Sequence, residues 1–365
     1  MRKPNAILAD LRREIDQIDR EIVDRLQRRA ALAIRVGKEK GVNLPIYVPE
    51  RERQVLGHVA SAAKDGPLSA NVITTIYREV LSACRALEKE ISVAYLGPEN
   101  TFTHQAAIQS FGSAVKLQAA ASVDHVFKLV EKDLADYGVV PLENSTEGGV
   151  TPTLDSFVQY LDTALQICGE IVIPIAHHLI SSSPRDAVQV VYSHPQALAQ
   201  CRGWLAEELP RADTIEVVST AAAVARVKNE PGAAAIASEL AAEAEGVPII
   251  ANSIQDRVDN VTRFAILGKQ LPDSTEDDRT ALLFSVMDQP GSLYNALGIF
   301  AKYNVNLTFI LSRPSRRRTW DYYFFAILIG HPARDPVHTA LAELEKQCVL
   351  VRVLGAWPTA DPSGG

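Results

Sequence analysis

Three cations near the start of the chain have a spacing that suits the binding of a small organic anion. Arg29 and Lys40 are 11 residues apart, so on a helix they share a face, about 20° apart in direction and roughly 16 Å apart along the axis. Arg12 lies 17 residues before Arg29, which puts it roughly 25 Å away and about 100° off that face. It could reach the same ligand only from a second subunit. Taken one at a time, each of these cations is more simply a solvated side chain of a long helix.

Four polar motifs in the middle of the chain form a second group of candidate site residues. They are YLGPENTFTHQAA at 95–107, VVPLENSTEGGV at 139–150, YSHPQALAQC at 192–201 and DNVTRF at 259–264. They lie at the ends of predicted strands, where the ligands of α/β sheets bind. A single threonine in such a loop is, by itself, normally a turn or capping residue.

Several familiar site types are missing from the sequence. It contains no GxxxxGK phosphate loop, no GxGxxG, no GxSxG elbow and no HExxH, which weighs against common nucleotide-dependent and zinc-hydrolase chemistry. Ser193 and His194 are sequence neighbours without an identifiable third member of a triad. His177 and His178 are interpreted as a packed pair at a strand end rather than as catalysts.

The first segment that must position these residues is helical. Apolar residues spaced three and four apart predict one helix over 6–42, and two further helices are predicted over about 50–64 and 69–89, with Ser69 as the N-cap of the last. The apolar positions of the first helix are Leu8, Leu11, Ile15, Ile18, Ile22 and Leu26. A helix of this length cannot bury its apolar stripe alone, so it needs a partner.

The rest of the chain contains two further segments. From Ile91 short apolar strands alternate with helical stretches, which predicts an α/β domain with a mostly parallel sheet. From Thr280 the order βαββαβ predicts a small α+β ferredoxin-like domain. Residues 316–318 are interpreted as a solvated hairpin tip, and residues 358–365 as a loose tail.

Composition and charge limit the classes of protein to consider. The 365 residues are 47% hydrophobic and 22% charged with a net charge of −7, which excludes disordered and fibrous proteins and argues against a nucleic-acid binder. Residues 1–90 carry 17 Lys+Arg and 13 Asp+Glu, so the helical segment is basic and suits a small anion. Four separated cysteines without CxxC indicate a reducing compartment, and we expect a cytoplasmic protein. We expect no membrane span and no signal peptide.

The helical segment resembles the all-helical chorismate mutases. The resemblance rests on LRREID at 11–16, RRAALAIRVGKEK at 28–40, PERERQVL at 49–56 and CRALE at 84–88. It implies a homodimer or higher homo-oligomer of entwined helices that rearranges chorismate to prephenate without a cofactor or metal. It implies catalytic roles for Lys40 and Glu88. The implied substrate-binding residues are Arg12 from the partner subunit, Arg29, Arg51, Glu52 and Cys84.

Glu88 stands where relatives of this family often carry glutamine. A carboxyl group donates a hydrogen bond only when it is protonated. We therefore expect the mutase activity to fall toward alkaline pH. The alternative is that Glu88 simply begins the linker to the next domain. Val48 and Cys84 also stand where some relatives have polar contacts.

The middle segment, residues 91–270, resembles prephenate dehydratase through the four motifs in their order. The resemblance implies two α/β lobes around a cleft, as in periplasmic binding proteins, and the conversion of prephenate to phenylpyruvate. It implies that Thr262 donates to the leaving hydroxyl group, which needs no metal. The implied substrate-binding residues are Thr101, Asn144, Ser145, Ser193, Arg263 and Phe264.

The last segment, residues 280–357, resembles an ACT regulatory domain. The resemblance rests on DQPGSLYNAL at 288–297 and ILSRPS at 310–315. It implies feedback inhibition by L-phenylalanine, and the implied effector-binding residues are Gly291, Ser292, Leu293, Ser312, Arg313 and Pro314. Leu311 stands where the family has glutamate, so we expect weaker inhibition. The alternative is a purely structural dimerisation domain.

The three segments occur in the order found in the family of bifunctional chorismate mutase–prephenate dehydratases. We therefore expect domains over 1–90, 91–270 and 280–357, and a bifunctional enzyme of phenylalanine biosynthesis with no nucleic-acid partner. Two other classes remain open. One is a dehydratase whose helical domain only dimerises the chain, and the other is a non-catalytic ligand-binding regulator built on the same lobes.

Overall fold

The computed structural model describes residues 4–40, 45–314 and 322–360, apart from the side chains of residues 4–6 and 40. The chain forms two compact units. The first is Met1–Ile91 with Phe111–Lys116, and the second is Ser92–Ser110 with Leu117–Gly365. The predicted hairpin tip at 316–318 and residues 361–365 of the predicted tail lie outside the described residues. No helix of the described ranges is long and apolar enough to cross a membrane.

The first unit is helical, as the periodicity predicts. Its helices are α1 (Pro4–Lys40), α2 (Pro49–Ala62) and α3 (Ala70–Glu88). Pro49 opens α2, where a proline costs no hydrogen bond, and Ser69 caps α3 by accepting from the main-chain N of Val72 at 3.4 Å. Helix α3 packs against both other helices. Large apolar side chains of α1 nevertheless remain exposed; they are Ile7, Leu8, Leu11, Ile15, Ile18, Ile22, Val23, Leu26, Leu32 and Val36.

The second unit begins with an α/β region. Its elements, in chain order, are β1 (Ser92–Leu96), α4 (Phe102–Phe111), β2 (Lys116–Ala120), α5 (Val123–Glu131), β3 (Tyr137–Asn144), β4 (Gly148–Gly149), α6 (Thr151–Gln159), β5 (Gln166–Pro174), β6 (His178–Ile180), a 3-10 turn (Arg185–Ala187), β7 (Val190–Ser193), α7 (Pro195–Gln200), α8 (Arg202–Glu208), β8 (Asp213–Glu216), α9 (Thr220–Val227), β9 (Ala233–Ala237), α10 (Glu239–Glu245), β10 (Ile249–Ala251) and β11 (Val261–Gly268). The remaining elements are β12 (Asp278–Ser285), α11 (Ser292–Lys302), β13 (Leu307–Pro314), β14 (Tyr322–Ile329), α12 (Val337–Gln347) and β15 (Leu350–Pro358).

Two sheets organise this unit, which confirms the two-lobed α/β prediction. Among the described residues the larger sheet has the order β13-β14-β12-β15-β5-β11-β3-β1-β2, with β4 beside β3, and the smaller has the order β10-β6-β9-β7-β8. The prediction of a mostly parallel sheet is only partly right. Strands β1 and β3 are parallel, but β11 is antiparallel to both β3 and β5. Strand β5 leaves the larger sheet and β11 returns to it after the smaller sheet is complete, so the two run in opposite directions.

The C-terminal region has the predicted βαββαβ order and extends the larger sheet. Strand β15 pairs with β5 in parallel at Gly355 and Ile167. Gly355 has φ of +152°, and a Cβ there would lie 2.1 Å from the main-chain oxygen of Ile167, so only glycine fits at this junction. Buried residues of both regions share one core, in which Phe127 and Phe157 belong to the same cluster as Trp357. The C-terminal strands therefore share one sheet and one core with the α/β region.

Candidate active sites

The centre of the α/β region is a hydrogen-bonded pair on neighbouring strands. Thr262 in β11 lies opposite Asn144 at the end of β3. The Nδ2 group of Asn144 donates to Oγ1 of Thr262 at 2.8 Å and to Oδ1 of Asn260 at 2.9 Å. Asn144, Asn260, Thr262 and Phe264 are all at least nine-tenths buried. Because the Thr262 oxygen accepts from the amide, the hydroxyl proton remains to be donated to another group.

An amide network that the sequence did not single out surrounds this pair. Gln200, the last residue of α7, accepts at Oε1 from Nδ2 of Asn260 at 3.1 Å and donates from Nε2 to Oε1 of Glu147 at 3.2 Å. Nε2 of His177 lies 2.9 Å from the same Gln200 oxygen. Both Asn260 and Gln200 are inside the quoted motifs, and their motif position was the available signal. The structure thus joins the ends of three of the four motifs.

The two adjacent histidines at the start of β6 are packed inside the protein, as expected. His177 and His178 are both buried, and burial lowers the pKa of each below the ordinary value. The Gln200 oxygen can only accept, so the His177 nitrogen facing it carries the proton. His177 is therefore a neutral donor that supports the amide network.

Three hydroxyl groups predicted to bind substrate have main-chain partners instead. The Ser193 hydroxyl, fully buried, donates to the carbonyl of Ile236 at 2.6 Å. The Thr101 hydroxyl donates to the carbonyl of Pro98 at 2.9 Å, at the start of α4. The Ser145 hydroxyl donates to a carbonyl just before β11 at 3.2 Å. In this structure they hold the loops that carry the motifs, and their role as substrate ligands stays a prediction.

Arg263 also differs from its prediction as an anchor for a substrate carboxylate. Neighbouring residues of a strand point to opposite faces, so Arg263 faces away from Thr262. Its Nη1 donates to Glu143 at 2.5 Å, and its Nε lies 3.0 Å from the buried carboxylate of Glu170. Arg279 of β12 lies 3.6 Å from the other oxygen of that carboxylate. Arg263 is thus neutralised inside the protein and belongs to a structural ion cluster.

A cavity of about 370 Å³ adjoins the amide network without including its central pair. Its lining residues are Phe102, Gln105, Ile108, Gln109, Pro174, Ala176, His178, Ser238, Glu239, Leu240 and Glu243. The Phe102 ring also contacts His177 edge to face, with ring centroids 5.5 Å apart. The described lining contains two glutamates and neither lysine nor arginine, so this cavity alone lacks the charge to bind a dicarboxylate. Thr262 and Asn144 lie outside the lining of this cavity.

The helical unit brings several of its predicted site residues together. Nη1 of Arg29 in α1 lies 2.8 Å from Sγ of Cys84 in α3. A Cβ at Gly37 would lie 3.0 Å from Cγ of Glu88, so the glycine lets Glu88 approach α1 closely. Oε2 of Glu88 is buried and has no hydrogen-bond partner among the described residues. Arg29, Cys84 and Glu88 thus lie at the contact between α1 and α3, and their roles toward substrate stay predictions.

The other predicted mutase residues belong to α1 and α2. Arg12 is exposed on α1, and the side chain of Lys40 lies outside the described residues. Arg51 is exposed at the start of α2. Glu52 is ion-paired with Arg85 of α3, a residue that the sequence did not single out although it lies inside the CRALE motif.

The two predicted effector motifs lie at the start of α11 and the end of β13. Gly291, with φ of +84°, precedes the first turn of α11, which begins Ser292-Leu293. Ser312, Arg313 and Pro314 end β13. The first motif is thus at a helix start and the second at a strand end, and their binding of an effector stays a prediction.

Arg313 has an ion-pair partner in the α/β region. Its Nε and Nη2 groups donate to Oδ1 of Asp155 in α6, at 3.1 and 2.8 Å. Leu311, where the family has glutamate, packs against the shared core with Phe309. The second effector motif is therefore attached to helix α6.

Comparisons with known proteins match three successive parts of the chain. Family models match in chain order: chorismate mutase type II over 11–89, prephenate dehydratase over 93–271 and the ACT domain over 280–346. A bifunctional chorismate mutase/prephenate dehydratase of Aquifex aeolicus (strain VF5) is 48% identical over 97% of this chain and 98% of its own. That of Stutzerimonas stutzeri is 40% identical, with the same coverage.

A solved structure agrees as well. The prephenate dehydratase of Arthrobacter aurescens, determined in complex with L-Phe, is 34% identical, with a TM-score of 0.69, and the match covers 75% of this chain and 92% of that one. Since the relatives match across nearly their full length and all three family models occur in the same order, this chain belongs to the family of bifunctional chorismate mutase/prephenate dehydratases.

Proposed function

We propose that the chain catalyses two consecutive reactions at separate sites, first the rearrangement of chorismate to prephenate and then the conversion of prephenate to phenylpyruvate. The observation that carries the second reaction is the Asn144–Thr262 hydrogen bond, which leaves a buried hydroxyl proton to be donated. The observation that supports the first is the meeting of Arg29, Cys84 and Glu88 between α1 and α3.

In the dehydratase reaction, the bond to the ring carboxylate breaks and carbon dioxide leaves. Its electron pair enters the ring, and the opposite carbon–oxygen bond breaks to release hydroxide, so the ring becomes aromatic. Thr262 donates a hydrogen bond to the departing oxygen, which stabilises the negative charge that develops there. Asn144 fixes the direction of that donor by occupying the threonine lone pair. No covalent intermediate is needed.

In the mutase reaction, one carbon–oxygen bond breaks as one carbon–carbon bond forms, and no group is transferred to the protein. The site therefore acts by holding the reactive conformer and by stabilising charge on the ether oxygen. Arg29, Arg51 and the partner's Arg12 bind the two carboxylates in this proposal. Lys40 donates to the ether oxygen, and Glu88 lies beside it as the second catalytic residue.

The assembly proposed for the first site is a homodimer or higher homo-oligomer. Apolar side chains spaced along α1, such as Ile15, Ile18 and Ile22, are about half exposed. Because full burial of such a side chain contributes about 1.5–3 kcal/mol, covering the exposed half contributes on the order of 0.8–1.5 kcal/mol each, so packing against a second copy of the same helix is favourable. Arg12 lies on this exposed face of the chain and reaches a site only if the copy brings it there.

The C-terminal region is proposed to bind L-phenylalanine as a feedback inhibitor through residues 291–293 and 312–314. The ACT match and the L-Phe complex of the Arthrobacter relative support this. A dimerisation role without an effector is the alternative. The cytoplasmic location expected from the cysteines stays a prediction.

One incubation tests the whole proposal. Purified protein receives chorismate alone, with and without L-phenylalanine, and chorismate, prephenate and phenylpyruvate are followed together. Phenylpyruvate formed without added cofactor would establish both activities, and its suppression by L-phenylalanine would establish the regulation. Accumulated prephenate would contradict the Thr262 site, and unchanged chorismate would contradict the helical site.

A further inference from the structure

Arg85 is a buried arginine inside the helical unit and is not among the residues that the family resemblance assigns to substrate. Its side chain is 7% exposed, and its Nη1 forms an ion pair with Oε1 of Glu52, whose side chain is 18% exposed. Glu52 aligns with the carboxylate that binds the substrate hydroxyl in the chorismate mutase family, and we propose that role for it here. A charge this deeply buried is retained only where it has close partners.

Further contacts fix the Arg85 guanidinium in place. Its Nη2 donates to the main-chain oxygen of Phe111 at 2.6 Å. The guanidinium carbon lies 5.5 Å from the ring centroid of Tyr47 and 5.8 Å from that of Phe111, within cation–π distance of both. An arginine fork held by a carbonyl and two rings presents its Nη1 group in one direction. The carboxylate of Glu52 accepts from that group, while Nε is buried without a hydrogen-bond partner among the described residues.

The carbonyl that holds Arg85 belongs to a segment from outside the helical sequence. Residues 111–116 lie beyond the mutase match at 11–89, yet they belong to the same compact unit as α1–α3. Ser113 donates from its hydroxyl to Glu79 of α3 at 2.5 Å, and the main-chain N of Ala114 donates to Ser82 Oγ at 3.1 Å. Residues 111–116 are therefore attached along α3 beside Arg85.

We propose that Arg85 is a positioning residue of the chorismate mutase site, which orients the Glu52 carboxylate toward the substrate hydroxyl and is itself held by residues 111–116. This inference rests on the proposed role of Glu52. An oriented carboxylate binds the hydroxyl without losing further side-chain freedom, so the gain is expressed in substrate binding and orientation. The helical site then depends on a chain segment that follows the helical sequence.

A double-mutant cycle on the full chain tests the proposal. Glu52→Ala, Arg85→Met and the double variant are compared by kcat/KM for chorismate, with thermal unfolding followed for each. We expect each single variant to lower kcat/KM by about 10-fold or more, and Arg85→Met to add less than about 2-fold in the presence of Glu52→Ala, because residues that act as a unit are not additive. Arg28→Met, at a side chain that is 78% exposed, is the matched control and should leave kcat/KM unchanged.

A substrate analogue separates positioning from a general loss of structure. With a chorismate analogue that lacks the ring hydroxyl, Glu52 has nothing to bind, so wild type and Arg85→Lys should convert it equally, while Arg85→Lys should still impair chorismate itself. Arg85→Lys keeps the charge but not the fork, so it retains the fold if Arg85→Met does not.

The outcomes distinguish this inference from the assignment beneath it. An unchanged mutase in Glu52→Ala would overturn the role of Glu52, and the positioning role of Arg85 with it. An impaired Glu52→Ala combined with a full additional loss from Arg85→Met would overturn the inference alone. Equal losses on chorismate and on the analogue in Arg85→Lys would do the same.

Discussion

The hydroxyl group of Thr262 is oriented by a side chain on the neighbouring strand. Asn144 is itself fixed, because its Oδ1 accepts from the main-chain N of Thr146 at 2.9 Å while its Nδ2 group donates to Thr262 and Asn260. Both polar atoms of the Asn144 amide are thus hydrogen-bonded, which fixes the orientation of the side chain. At the scale of single residues, the proposed dehydratase site therefore contains a hydrogen-bond donor, the Thr262 hydroxyl, whose direction is fixed before substrate binds.

Thr262→Ala should therefore lower the dehydratase kcat by about 100-fold or more, since removing one preorganised donor costs that much in comparable sites. Thr262→Ser retains the hydroxyl and should keep most of the activity. Prephenate is supplied directly and phenylpyruvate is measured. Mutase activity on chorismate, measured on the same preparations, should not change, and full dehydratase activity in Thr262→Ala would remove the threonine from the mechanism.

Glu88 leads to a prediction about hydrogen bonding at the other site. Its buried Oε2 lacks a hydrogen-bond partner among the described residues, and the amide of a glutamine has nearly the same shape and always carries a donor. Glu88→Gln should therefore keep or raise mutase kcat/KM, whereas Glu88→Ala, which removes the polar group, should lower it by about 10-fold or more. Chorismate loss is measured for both variants. Full activity in Glu88→Ala would contradict the role.

Sequence motifs located Thr262 and Asn144 but not the direction in which neighbouring residues face. Arg263 is adjacent to Thr262 in the motif, and strand alternation turns it toward Glu143 and Glu170. That could be foreseen only once the strand itself was certain. Gln200 is 60 residues from its partner Asn260, and no local pattern encodes a contact of that range.

At the scale of elements, periodicity predicted the three helices and the βαββαβ order, because both depend on local burial patterns. The antiparallel insertion of β11 was not predicted, since it follows from the path of the chain between two sheets rather than from any segment. The pairing of β15 with β5 likewise depends on one glycine, Gly355, whose role appears only when Ile167 lies opposite it. The sequence therefore predicted the types of the elements but not their long-range pairing.

The attachment of β13 to α6 leads to a prediction about feedback inhibition. Arg313, one of the residues proposed to bind L-phenylalanine, donates twice to Asp155, so an effector carboxylate bound at this guanidinium would compete with Asp155. Asp155→Asn weakens that competitor, because hydrogen bonds to a charged acceptor are roughly twice as strong as neutral ones. The concentration of L-phenylalanine that halves dehydratase activity should fall by about 3-fold or more.

Asp155→Asn needs a control for a general loss of stability in the α/β region. Asp124 of α5, which accepts from Gln159 of α6 at 3.0 Å, offers one, since Asp124→Asn alters a contact of the same helix without touching Arg313. It should leave the L-phenylalanine response unchanged. Weaker inhibition in Asp155→Asn would mean that the ion pair transmits the effector signal rather than competing with it.

At the scale of the whole molecule, the two sites make different demands on assembly. The hydrogen-bonded residues around Thr262 come from one chain, whereas α1 exposes its apolar side chains and carries Arg12 away from Arg29. A dimer in which α1 crosses to a second copy satisfies both features of α1, as a two-fold interface requires the same surface from each subunit. Mutase activity should therefore depend on the oligomer, and dehydratase activity should not.

Mixing two inactive variants tests this directly. Arg12→Ala and Arg29→Ala each damage every mutase site of their own homodimer. In a mixed dimer, one site receives both defects and the other receives neither, because Arg12 and Arg29 of a site come from different subunits. Random mixing makes half of the dimers mixed, so co-refolding equal amounts should restore about a quarter of the wild-type mutase rate. If both arginines served a site within one chain, the mixture would stay as inactive as its components, while the dehydratase rate, measured beside it on prephenate, would confirm that both proteins had refolded.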